Sequence, residues 1–220
     1  MILYYLVQEC DFNHTIACTD MEYRIDTHGL LAELGVWNGF LGRPVNLIAC
    51  GGTALTLLGV KDSTKDIDLM VPDEGEHDYL LGALRRFGYS QVTGSGWARG
   101  GGFVFDLFRG NRIHTTELLE YPLAGGNHIV FKEYSRIRLG ILNLYDLIIS
   151  KLFRGTSVDY DDCFALLAAR RGEIDPARLR SRYLETARYD VSEKTVMGNW
   201  DAFVRQASAR RIFDDRAFTA

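Results

Sequence analysis

The chain has 220 residues, 47% of them hydrophobic and 25% charged, and 29 acidic against 25 basic side chains leave a net charge of −4. This length can bury one large or two small cores without covalent staples, and the composition excludes collagen-like, disordered and disulfide-scaffold chains. The longest apolar run at the amino end, Ile2 to Val7, is too short to span a bilayer and lacks the flanks of a signal peptide, so a cytoplasmic protein with no membrane partner is expected. Cys10, Cys18, Cys50 and Cys163 have neither zinc-ligand nor redox-pair spacing and read as reduced, mostly buried thiols. Charge is uneven along the chain: residues 1–80 carry 13 acids and 4 bases, whereas residues 167–220 carry 8 and 11. Segregated acidic and basic surfaces would suit a metal with a polyanion; plain variation along a solvated surface is the alternative.

Residues 1–28 show no clear periodicity and read as an edge strand or a loosely attached extension. From Thr27, a candidate N-cap, Leu30, Leu31, Leu34, Trp37 and Leu41 recur at helical spacing until Gly42-Arg43-Pro44. Val45 to Cys50 reads as an apolar strand, broken by Gly51-Gly52, and Thr53 to Leu58 as a short helix. Residues 66–71 alternate at period two, predicting a strand with unlike faces, and Glu74 to Phe87 predicts an amphipathic helix. After the glycine-rich loop Thr93 to Gly102 come strand-like runs at 103–108, 129–131 and 137–142. Helical patterns then follow at 143–154, 158–171, 176–189 and 193–211. Strands mixed with helices, then helices alone, predict an α+β catalytic unit (1–142) followed by a helical portion (143–220) packed against it.

Aspartate is depleted in strands, yet Asp66, Asp68 and Asp106 sit in strand-like apolar runs. Residues two apart in a strand share a face, so Asp66 and Asp68 would project together. With Asp106 beside them, three carboxylates would share a small volume, and a hard divalent cation, magnesium above all, would relieve their repulsion. The competing reading places Asp66 and Asp68 on an edge strand facing water, with Asp106 paired to Arg109 or Arg112. Upstream, a strand, Gly51-Gly52 and a helix form a tight turn whose bare amides could seat a phosphate; a plain turn is the alternative. Neither a Walker nor a Gly-x-Gly-x-x-Gly pattern occurs.

Taken together, Cys50-Gly51-Gly52-Thr53-Ala54, then Thr64-Lys65-Asp66-Ile67-Asp68-Leu69, then a strand bearing Asp106, resemble the nucleotidyltransferase superfamily of the DNA polymerase β type. The spelling is similar to the minimal nucleotidyltransferases of the AbiEii and MenT toxin kind. Asp146 to Lys151, Arg154, and Asp159-Tyr160-Asp161-Asp162 resemble that family's helix lysine followed by an Asp-x-x-Asp helix start, although Val158 stands where a basic residue is usual. The resemblance implies a mixed sheet flanked by helices and transfer of NMP from an NTP. Asp66, Asp68 and Asp106 would bind two magnesium ions. Gly51, Gly52, Thr53, Thr64, Lys65, Lys151, Asp159 and Asp162 would hold the nucleotide. It further implies an RNA 3′ end such as a tRNA acceptor stem, or a protein hydroxyl, as acceptor. A role as toxin with a cognate antitoxin also follows from it; an AMPylating enzyme or an inactive nucleotide-binding or partner-binding module is the alternative.

Lys151 interrupts the apolar stripe of Leu144, Leu147 and Ile148, so either it snorkels to solvent or its ammonium reaches the site as a catalytic and phosphate-binding charge. Asp159 and Asp162 either orient Lys151 or cap their own helix. Trp97 and Arg99 in the glycine-rich loop either close over a base or belong to a hairpin tip. The five histidines lack metal-ligand spacing. Arg178 and Arg182, four apart on one helix face with Arg171 nearby, offer a docking face for a polyanion, or else pair with surface acids.

Overall fold

The computed structural model describes residues 24–212; the predicted extension up to residue 23, with Cys10 and Cys18, lies outside the described residues. Helix α1 (Thr27–Phe40) buries Leu30, Leu34 and Trp37 at three- and four-residue spacing, and its N-cap is Asp26. Thr27, expected to cap, instead donates its hydroxyl to the Thr56 carbonyl at 3.1 Å. Strand β1 (Val45–Ala49) passes through Cys50 directly into α2 (Gly51–Leu57), which therefore begins at the glycine pair itself. Then come β2 (Ile67–Val71) and α3 (Glu74–Arg86), the latter capped by Asp73, with acids in its first turn and arginines in its last to match the helix dipole.

Strands β3 (Ser90–Gln91), β4 (Gly96–Ala98) and β5 (Phe105–Arg109) build one side of the sheet, and β6 (Arg112–Ile113) with β7 (Thr116–Glu117) forms a small separate hairpin. The other side is β8 (His128–Glu133) and β9 (Ile137–Leu142). Helices α4 (Leu144–Arg154), α5 (Ser157–Ala169), α6 (Pro176–Ala187) and α7 (Glu193–Ala209) complete the described chain. The sheet order is β3-β4-β5-β2-β1-β9-β8, with β1–β9 and β2–β5 parallel and the remaining pairs antiparallel. The fold is thus mixed α+β, and buried residues from Ile25 to Ala207 form one apolar cluster.

Two local expectations change. The alternation of residues 66–71 does not expose one face: all five residues of β2 are buried, because the strand is central and both α2 and α3 pack on it. Asp66 lies one residue before that strand and is exposed. The glycine-rich loop contains β4, where Trp97 is only 3% exposed and pairs in register with Phe105, so its ring is core and not a base-stacking surface.

The arginine face also changes. Arg182 grips Asp146 with two hydrogen bonds of 2.7 Å each and lies 3.3 Å from Glu120. Arg178 lies over the Tyr145 ring at 4.9 Å. Arg182 therefore ties α6 to the start of α4, and of the expected pair only Arg178 remains exposed. We expect Arg182→Ala to leave the buried Asp146 without a cation, held by Asn143 Nδ2 at 2.7 Å, and to cost roughly 2–3 kcal/mol, somewhat below a fully buried pair, measured by urea denaturation. An unchanged midpoint would return Arg182 to a surface role.

Candidate active site

Parallel pairing of β2 with β5 sets Asp68 directly opposite Asp106. Neighbouring strands lie about 4.8 Å apart, so the two carboxylates share one neighbourhood. Asp68 is 9% exposed. Burial pushes its carboxyl up to about 7, reinforced by the charge of Asp106 and opposed by Gly52, Arg154 and Lys151. Asp106 accepts the Ser95 hydroxyl at 2.7 Å. The predicted carboxylate set is therefore a close pair, Asp68 and Asp106, with Asp66 in the turn that precedes the strand. Among the described residues no three His, Cys, Asp or Glu side chains are already gathered around one point.

The glycine turn serves this pair. Gly51 has φ +54, and a Cβ there would collide with the Asp68 carboxylate, so both conformation and space demand glycine. The Gly52 amide donates to Asp68 Oδ2 at 3.2 Å. Thr53 is fully buried; its hydroxyl accepts the Asp68 amide at 2.8 Å and donates to the Asp66 carbonyl at 3.3 Å. Thr64 donates to the same carbonyl at 3.1 Å. Two of the predicted nucleotide-binding hydroxyls are thus engaged inside the turn, where they fix the backbone that carries Asp66 and Asp68. Lys65 is exposed.

Beside the pair lies a buried charge cluster. The Lys151 ammonium sits 2.7 Å from Asp162 and 3.6 Å from Asp159, with the lysine 2% exposed, which excludes the snorkelling alternative. Asp162 also receives Lys61 at 2.8 Å. Asp159 does both things considered for it. With Thr156 it forms a capping box for α5, and it takes two hydrogen bonds from Arg154 while facing Lys151. Although burial alone would raise it, the Arg154 guanidinium and Thr156 hydroxyl hold the Asp159 carboxyl below its ordinary range.

Four members of this neighbourhood carried no site assignment in the sequence. Arg154, one turn after Lys151 on α4, offered a helical-spacing signal. Lys61 and Ser95 offered none, because their partners lie 101 and 11 residues away through tertiary contact. His114 has φ +49 in the β6–β7 turn, and its Nε2 lies 3.2 Å from an Arg154 nitrogen. Burial, then Arg154, pushes its pKa down, consistent with a neutral ring accepting from the guanidinium.

No family model and no curated protein matches the chain. Among solved structures it is similar to ANT(2'')-Ia in complex with adenylyl-2''-tobramycin, at 18% identity over 71% of this chain and 95% of that one, with a TM-score of 0.45. It is also similar to a Thermotoga maritima protein provisionally described as a nucleotidyltransferase, at 17% identity over 66% of this chain and 97% of that one, with a TM-score of 0.41. At such identity and overlap neither likeness carries a functional assignment, which has to come from the side chains. No helix among the described residues is long and apolar enough to cross a membrane.

Proposed function

We propose that the protein is a nucleotidyltransferase that moves an NMP group from an NTP to an acceptor hydroxyl. The observation that carries this reading is the in-register pair of buried Asp68 and half-buried Asp106, with the Asp68 carboxyl pushed up to about 7. Two crowded oxygen donors fit a hard divalent cation such as magnesium, which is commonly held by one or two carboxylates while substrate phosphates supply further oxygens. Asp68 and Asp106 would hold it, with Asp66 at the neighbouring turn as a further ligand for it or for a second ion. Such a cation, when bound, neutralises phosphate charge and lowers the pKa of an attacking hydroxyl.

The chain's own residues orient the reactants. Gly51 and Gly52 present backbone without a side chain, so a triphosphate can approach the pair closely, with Thr53, Thr64 and Lys65 framing the turn. Lys151 and Arg154 add positive charge, and Asp159 and Asp162 hold those cations in place, so the helical portion from residue 143 completes a site whose carboxylates come from residues before it. Ser95 fixes the rotamer of Asp106 through its hydroxyl. Such a site works chiefly by positioning and electrostatics. An RNA 3′ end is the acceptor by resemblance, with a toxin role and a cognate antitoxin following from it; a protein hydroxyl is the second reading.

Incubation with each α-labelled NTP and magnesium, with bulk RNA or protein as acceptor, tests the reading. Label transfer that EDTA abolishes is the expected result. Failure to bind any NTP in the presence of magnesium would overturn it, and binding without transfer to either acceptor would favour the inactive module.

A further inference from the structure

We infer that the cavity beyond Asp106 is the acceptor subsite and that it takes a phosphate group carried by the acceptor; this rests on the nucleotidyl-transfer reading above. Strand order gives the placement. β1, β2 and β5 are consecutive in the sheet, so the glycine turn after β1 and Asp106 on β5 lie on opposite sides of Asp68. In-line displacement at phosphorus sets the attacking and leaving oxygens roughly opposite each other. With the donor's phosphates on the glycine side, the acceptor approaches from the β5 side.

That side contains a cavity of about 340 Å³, and Ser95, the hydrogen-bond partner of Asp106, is one of its walls. Its other walls include Arg85, Arg109 and Arg112, and among the described residues no carboxylate lines it. Arg109 is paired with Glu74 at 2.9 Å and Asp78 at 3.3 Å, both outside the lining. Arg85 and Arg112 differ. The Arg85 guanidinium lies over the Trp97 ring at 4.9 Å, and among the described residues Arg112 donates only its Nε, to the His114 carbonyl at 3.2 Å. Neither forms an ion pair with a carboxylate among the described residues.

Two guanidinium groups are thus held by an aromatic face and a backbone oxygen, which leave their planar forks of donors available. Such forks match phosphate oxygens bidentately and suit a group with three acceptor oxygens better than a neutral or cationic one. The cavity has room for the phosphate and the sugar that bears it, and its Ser95 wall is hydrogen-bonded to Asp106.

The test is calorimetric titration of the full chain with ribose 5-phosphate, with ribose as the uncharged control and a 5′-phosphorylated RNA dinucleotide as a second probe. Ribose 5-phosphate should bind at least tenfold more tightly than ribose, and Arg85→Gln with Arg112→Gln should remove that preference. Arg85→Lys with Arg112→Lys, which keeps the charge, should retain part of it. ATP affinity in magnesium should be the same in the wild type and the Gln double variant. A dinucleotide that binds more tightly than ribose 5-phosphate and loses that affinity in the Gln variant would assign the phosphate to RNA. Equal binding would assign it to a small phosphorylated metabolite. Equal affinity for ribose and ribose 5-phosphate, or a preference unaltered in the folded Gln variant, would overturn the inference. Absence of ATP binding in the wild type would instead overturn the nucleotidyl-transfer reading, so the two failures are separable.

Discussion

Asp68→Asn should abolish nucleotide transfer while making the metal-free protein more stable at pH 8. Under the proposed function the activity loss follows from removing a ligand for a cation that would stabilise several kcal/mol of transition-state charge, about three orders of magnitude in rate. The stability gain follows from the site's electrostatics. In the folded protein the Asp68 carboxyl is raised from 3.8 to about 7 by burial and by Asp106. Between those values the native state keeps a proton that the unfolded chain has released. Stability therefore falls as pH rises across this window, and the penalty is complete above about 7. A displacement of this size corresponds to about 4 kcal/mol at most. Asparagine carries no such titration, so in EDTA its melting temperature should exceed the wild type's at pH 8, and the two should converge toward pH 4. Magnesium should raise the wild-type melting temperature at pH 8 and leave the variant's little changed. A variant that melts lower than the wild type at pH 8 without metal would make Asp68 a structural carboxylate.

Lys151→Met should destabilise the protein by about 3 kcal/mol, although methionine fills much of the same apolar stripe. Removing the ammonium leaves Asp159 and Asp162 buried with fewer partners, and breaking a buried pair usually costs about 3–5 kcal/mol. The lower end applies because Lys61 still reaches Asp162 and Arg154 still holds Asp159. Adding Asp162→Asn to the variant should recover part of the loss, since it removes a carboxylate that has only Lys61 left to balance it. The same substitution should move the Asp68 titration upward, because Lys151 is one of the groups that lower it. Urea midpoints for the single and double variants, with the pH dependence of melting, check both effects. A single variant as stable as the wild type would show that the two carboxylates do not depend on the lysine.

Most helices were legible because their signals are local. Asp73 before Glu74, Pro176 after Asp175 and Gly155 after Arg154 stand at helix ends as capping chemistry requires, and Leu30, Leu34 and Trp37 mark a buried stripe at helical spacing. The Asp68 and Asp106 pair was legible for a different reason: a charged residue inside an apolar strand run is unfavourable unless something compensates it. The period-two alternation of residues 66–71, by contrast, could not reveal that β2 would be central. Alternation describes one strand, and whether both its faces are covered depends on which helices pack above and below it.

What the sequence by itself determined is the set of local elements and the residue types that needed an explanation: the glycine pair, the aspartates in apolar runs and the lysine in an apolar helix face. Only the tertiary structure decided what each of them meets. It placed Asp68 beside Asp106 through a parallel pairing, closed Lys61 and Lys151 on Asp162, turned Arg182 onto Asp146, and opened the arginine-lined cavity next to Ser95. The physical reason is that capping and periodicity act within a few residues, where spacing along the chain equals spacing in space. A buried ion instead takes its partner from whichever element the topology brings within about 4 Å, and for Lys61 and Asp162 that partner stands 101 residues away.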